Sequence, residues 1–195
     1  MKLTASEIKA MVAGYFRYKR QCPVIAFEAS DKLKWADGEP ADILVITESR
    51  MLYEIEVKIS LSDLKHDKKQ GKHSSFLNRP DYLPVHKFYF AVSEDLANKA
   101  QDICKDFFPY AGLLVVSKFP FNSAALDFGV SEYRSPKILN NSRVEVKAII
   151  RLIKEQSGTV CRIARDKAVA ESSLIKAQKE SVELEKLLKL AGISN

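Results

Sequence analysis

Apolar positions switch between two periods along the chain. Ile8, Met11, Val12, Tyr15 and Phe16 recur at helical spacing behind Thr4 or Ser6 as the cap, which predicts a first helix ending near Lys19. Gln21-Cys22-Pro23 breaks it. Residues 24–28, 41–47 and 51–59 read as strands, with a polar loop at 30–39 carrying the turn dipeptide Asp37-Gly38. Glu48-Ser49-Arg50 is short enough to join the second and third strands as a hairpin. Ser60 or Ser62 opens a lysine-rich helix, followed by a loop at Arg79-Pro80-Asp81. A strand at 86–92, a helix at 94–107 and strands at 112–117 and 126–133 complete the body, and 144–190 is helical. This order predicts an α/β fold: helix, mixed central sheet and flanking helices over 1–140, with a C-terminal helical extension over 141–195.

In the extension Leu174, Ala177, Ser181, Leu184, Leu188 and Ala191 fall at alternating steps of three and four. Alanine and serine at core positions argue against a strong coiled coil, so the expectation is a tail docked on its own domain, with any homodimer weak.

Composition narrows the class. Of 195 residues 46% are hydrophobic and 29% charged, a globular balance. Cys22, Cys104 and Cys161 form no CxxC pair, which argues against a zinc knuckle and for a reducing compartment. No apolar run reaches the roughly 20 residues of a membrane helix, and Glu7 interrupts the start where a signal peptide turns apolar. The expectation is a soluble cytoplasmic protein without a membrane partner. The net charge of +6 is uneven: 1–20 and 143–195 each carry +4, and 21–142 carries −2. Basic flanks around an acidic centre suit phosphate binding beside a cation held by carboxylates. No GxxxxGK[ST], GxGxxG or GxSxG string occurs, so nucleotide-motor, dinucleotide-redox and acyl-transfer chemistries lack support.

The third strand carries the chemistry. Glu54, Glu56 and Lys58 alternate with Ile55, Val57 and Ile59, so two acids and a lysine share one face. A turn centred on Ser49 sets Asp42 directly opposite Glu56. Facing carboxylates repel, and are tolerable in bulk water or where a divalent cation sits between them. A one-residue slip would send Asp42 to the other face.

Pro40-Ala41-Asp42, a strand, a turn and Glu56-Val57-Lys58 resemble the PD-(D/E)xK nuclease superfamily. The acid-x-Lys string alone is common, starting also at Glu7, Asp63, Asp67 and Glu145, but only Glu56 lies in an apolar strand following one that opens with Asp. Glu56-Val57-Lys58-Ile59-Ser60 with Asp63-Leu64, Asp67 and Lys69, and later Lys87–Ser93, resembles the MmcB-like DNA-repair branch over residues 4 to 117. Gln70-Gly71 stands where that branch often has an aromatic.

The resemblance implies a restriction-endonuclease-like core and a Mg²⁺- or Mn²⁺-dependent nuclease acting on DNA in repair or processing. The alternative is an inactive nucleic-acid- or partner-binding module on the same fold. Asp42, Glu56 and Lys58 are the expected catalytic residues, with Asp42 and Glu56 as metal ligands. Lys58 is open to three roles: orienting water, assisting its deprotonation, or stabilising charge. Glu7 is either a further ligand or simply an acid favoured at a helix N-terminus. Ser60 either points to the site or caps the second helix, and Glu54 stands behind the ligands. Lys65, Lys68, Lys69, Lys72, Arg17, Lys19 and Arg20 are expected to grip phosphates. His66 and His73, seven apart on the expected helix, share a face and read as phosphate neighbours or surface residues; His86 has no assigned role.

Overall fold

The structure, a computed structural model, describes residues 2–29, 40–78, 84–118 and 128–190, with side chains through 183. The Asp37-Gly38 turn, the Arg79-Pro80-Asp81 loop, the first residues of the strand expected from 126, Ala191 and the side chains of Leu184 and Leu188 lie outside these. Six strands form one mixed sheet in sequential order: β1 Val24–Ala29, β2 Ala41–Ile46, β3 Leu52–Val57, β4 Val85–Ser93, β5 Gly112–Val116 and β6 Val130–Arg134. β1, β2 and β3 pair antiparallel, β4 and β5 continue in parallel, and β6 closes antiparallel. With helices on both faces this is an α/β fold carrying a C-terminal helix.

Each parallel pairing needs a crossover, and helices supply both. α2 Leu61–His66, a 3₁₀ turn Asp67–Lys69 and α3 Gly71–Asn78 link β3 to β4, and α4 Ala97–Phe107 links β4 to β5. α1 Ala5–Gly14, continued by a π-helical turn Tyr15–Lys19, covers the opposite face. β4 and β5 lie between the two layers, which is why Phe88–Val92 and Leu113–Val116 are unbroken apolar runs.

β3 divides its side chains between two cores. Ile55 and Val57 pack with Ile8, Val12 and Ile43 under α1, while Leu52 joins Leu64, Phe76, Phe88 and Phe90 under α2–α4. By alternation Glu54 and Glu56 face this second, covered side. The hairpin pairs Ile43 with Ile55 and Leu44 with Glu54. Ile43 with Ile55 is the last pair of this ladder, in the register expected from a turn at Ser49. Asp42, one step beyond it, is not paired with Glu56; its carboxylate instead accepts the Val57 N–H and meets Lys9 of α1.

The chain forms two compact units, Met1–Ile153 and Lys154–Asn195. α5 Val146–Leu190 begins in the first, where Leu139, Val144 and Leu152 join the core. These residues had been expected on either side of the 140/141 boundary. Among the described residues no helix is long and apolar enough to cross a membrane.

Candidate functional site

The β2–β3 end of the sheet gathers the charged residues. Asp42 Oδ2 accepts the backbone N–H of Val57 at 2.8 Å, which ties the second residue of β2 to the last residue of β3. Its Oδ1 is 2.8 Å from Lys9 Nζ, which reaches down from α1 and also holds Glu28 at 2.9 Å. Burial lowers the proton affinity of Lys9, but its hydrogen bonds to Asp42 and Glu28 outweigh that and raise it.

Glu56 lies in a deeper cluster. Its Oε1 is 2.7 Å from Lys72 Nζ, which also holds Glu54 Oε1 at 3.0 Å. Its Oε2 is only loosely engaged, 3.5 Å from Lys58 Nζ. Lys58 in turn donates to Asp67 Oδ1. The other Asp67 oxygen is 2.6 Å from His73 Nε2, and His73 Nδ1 is 2.5 Å from the Tyr110 hydroxyl. Glu54, Glu56, Lys58, Asp67, Lys72 and His73 are all buried, each no more than 6% exposed. Such burial is tolerable because acids and lysines alternate, Glu54, Lys72, Glu56, Lys58 and Asp67, and the His73 ring supplies the last hydrogen bond.

The electrostatics follow from that order. Burial pushes the Glu56 carboxyl up to about 7, against the pull of Lys72 and with the help of Glu54. For Lys72 burial acts downward, but Glu54 and Glu56 outweigh it and leave its proton affinity raised. Lys58 is likewise raised, its burial overcome by Asp67 and Glu56. Asp67 is lowered because its bonds from His73 and Lys58 exceed the opposing effect of burial.

Other expected site residues are placed as follows. Glu7 completes a capping box, its carboxylate accepting the Thr4 N–H at 2.7 Å, so the cap accounts for its position. Ser60 caps α2 by accepting the Asp63 N–H at 3.1 Å. Lys65, Lys68 and Lys69 are exposed, with Lys68 above the Phe107 ring. Lys72 is a correction: it is buried between two carboxylates and offers nothing to a phosphate. The reason is local, since the 3₁₀ turn and extended Gln70 (ψ 135°) start α3 on a new axis. The same break separates exposed His66 from buried His73, so they share no helix face. Arg17, Lys19 and Arg20 are exposed on the far side of α1, Arg17 being eight residues, about 12 Å, beyond Lys9.

Lys9, Asp67, His73 and Tyr110 were not assigned to the site by sequence. Asp67 had a signal in the string after Glu56; His73 and Tyr110 had none, because the helix break that turns His73 inward has no periodic trace. A cavity of about 490 Å³ lined by Arg20, Cys22, Thr47, Ser49 and Tyr53 lies at the hairpin turn, the opposite end of β3.

Among the described residues no three His, Cys, Asp or Glu side chains converge as a ready ligand set. Mg²⁺ does not require one, because it keeps several waters and binds through one or two carboxylates. Glu56 Oε2, loosely held, and Asp42 Oδ1, shared with Lys9, are oxygens of the kind it takes. Gln70 Oε1, at the α3 kink, is a buried acceptor with no hydrogen-bond partner. The donors fit in kind.

No family model matches the chain, and no curated protein matches it. Among solved structures it is similar to a protein of unknown function from Silicibacter pomeroyi. The TM-score is 0.51 over 84% of this chain and 91% of that one, at 16% identity, so the likeness concerns the fold alone.

Proposed function

We propose that this chain is a metal-dependent nuclease hydrolysing DNA phosphodiester bonds on a restriction-endonuclease-like core. The observation that carries the reading is the Asp42 carboxylate, which accepts the Val57 N–H at 2.8 Å and so stands beside the Glu56-Val57-Lys58 string. Support comes from the order of elements, a helix before a three-stranded meander and a helical crossover to a parallel strand. Asp42 and Glu56 would hold Mg²⁺ or Mn²⁺. When bound, the ion lowers the pKa of a coordinated water and offsets charge building on the phosphate.

The chain's own groups do the rest. Lys58, kept protonated by Asp67 and Glu56, donates hydrogen bonds and positive charge to the phosphate oxygens; proton removal from water falls to another group. Asp67 and His73 fix its position. Lys65, Lys68 and Lys69, exposed beside the site, meet the flanking phosphates.

One observation favours a second reading: Asp42 and Glu56 each already hold a lysine, Lys9 and Lys72. A binding module with a charge-neutralised former site would look the same. The test is incubation with duplex, single-stranded and branched DNA, with and without Mn²⁺. Cleavage in Mn²⁺ should vanish in Asp42→Asn and Glu56→Gln. It should fall by about 10²–10³ in Lys58→Met, which still binds Mn²⁺ by calorimetry. DNA bound but uncut under every condition would establish the binding module; cleavage indifferent to all three substitutions would sink the assignment of residues.

A further inference from the structure

Lys72 is the most deeply engaged cation at the site. Its ammonium is 3.0 Å from Glu54 and 2.7 Å from Glu56, with the Phe88 ring 5.7 Å away, and it is 3% exposed. A lysine so enclosed loses its hydration, and two carboxylates restore the balance. Among the described residues neither acid has a comparable second hold on a cation: Glu54 makes no other ion pair, and Glu56 has only Lys58 at 3.5 Å. Buried ion pairs contribute little net stability compared with apolar packing, so stability alone is a weak account of this one. Its position accounts for more, since the ammonium takes one oxygen of Glu56, the acid of the Glu56-Val57-Lys58 string.

We propose that Lys72 is a built-in counter-cation that competes with a divalent metal ion for Glu56, with Glu54 setting how firmly it holds. This rests on the reading of Glu56 as a metal ligand. Lys72 divides its ammonium between two acids, so removing Glu54 concentrates it on Glu56 and weakens metal binding. Removing both Glu54 and Lys72 leaves Glu56 unshielded and strengthens it. A charge-assisted hydrogen bond is worth about 1.5–3 kcal/mol, which corresponds to about tenfold to a hundredfold in a dissociation constant.

The experiment is calorimetric titration of the full chain with Mn²⁺ at pH 8, with circular dichroism to verify folding. Glu54→Gln is expected to weaken Mn²⁺ binding by severalfold, and Glu54→Gln/Lys72→Gln to tighten it at least tenfold over wild type. Adding Glu56→Gln to the double variant should abolish the gain. A folded double variant that binds no tighter than wild type overturns the proposal. Should it not fold, Glu54→Gln alone decides, and unchanged or tighter binding there overturns it too. Affinity that requires Glu56 but ignores both variants sinks this inference alone. Affinity untouched by Glu56→Gln in any background sinks the metal site as well.

Discussion

Stability should fall as pH rises from about 4.5 to 7, and Glu56 should be the cause. Its carboxyl, ordinarily near 4.5, is raised to about 7 by burial in the folded chain. Between those values the folded state binds a proton that the unfolded state has released. Stability from this group is therefore complete below about 4.5 and lost as pH climbs through 7. At about 1.4 kcal/mol for each tenfold change in proton affinity, the loss is about 3 kcal/mol, or roughly 6–12 °C in Tm for a domain of this size. Asp67 works in the other direction and another window: lowered from 3.8, it contributes stability above that pH, lost as pH falls through its folded value. Lys58 and Lys72, raised from 10.5, matter only in strong alkali. Wild type should therefore be most stable near pH 4–5. Urea unfolding at half-unit intervals from pH 4 to 8 measures this, with Glu56→Gln as the comparison. The variant keeps the shape of the side chain but cannot lose a proton, so its curve should lack the decline. Parallel curves for the two proteins across pH 4.5–7.5 would refute the reasoning.

Two further outcomes are expected. If Lys65, Lys68 and Lys69 touch phosphates, their triple replacement by glutamine should flatten the log–log salt dependence of duplex-DNA affinity by about 0.9 for each phosphate no longer neutralised; an unchanged slope in fluorescence anisotropy removes this surface. In a thiol titration of the native chain Cys161, which is exposed, should react fast and alone. Cys22 and Cys104 are buried and burial raises both thiols, Cys104 to about 11, so a second fast thiol would contradict their placement.

What could be read from sequence about the site was what the backbone imposes. A short link between two apolar strands makes a hairpin of few registers, and a turn at Ser49 sets the one observed. Ile43 opposite Ile55 and Leu44 opposite Glu54 followed from that constraint, whereas Asp42, one step beyond, takes the Val57 N–H and Lys9 as partners. The alternation of Glu54 and Glu56 with Ile55 and Val57 was equally plain, yet alternation shows only that two faces differ. Which acids are covered depends on what packs above them, and the cover here is α3. Its inward aim comes from a 3₁₀ turn and one extended residue, Gln70. A break of that length leaves no mark on a hydrophobic period, so Lys72 looked like its exposed neighbours Lys65, Lys68 and Lys69.

Lys9 was obscured differently. It ends the acid-x-Lys string at Glu7, a match that occurs by chance on a helix, and only the crossing of α1 over β2 brings it to Asp42. Lysine composition carries no information about such placement, because a charged residue is buried only where the fold brings it a partner. Those partners lie 9 to 37 positions away: Asp67 from Lys58, Glu56 from Lys72, Asp42 from Lys9, Tyr110 from His73. At those separations topology chooses the pairs. The same topology gives Glu56 a lysine on one oxygen and a loosely held oxygen on the other, which makes its competition for a cation a property of the fold rather than of the motif.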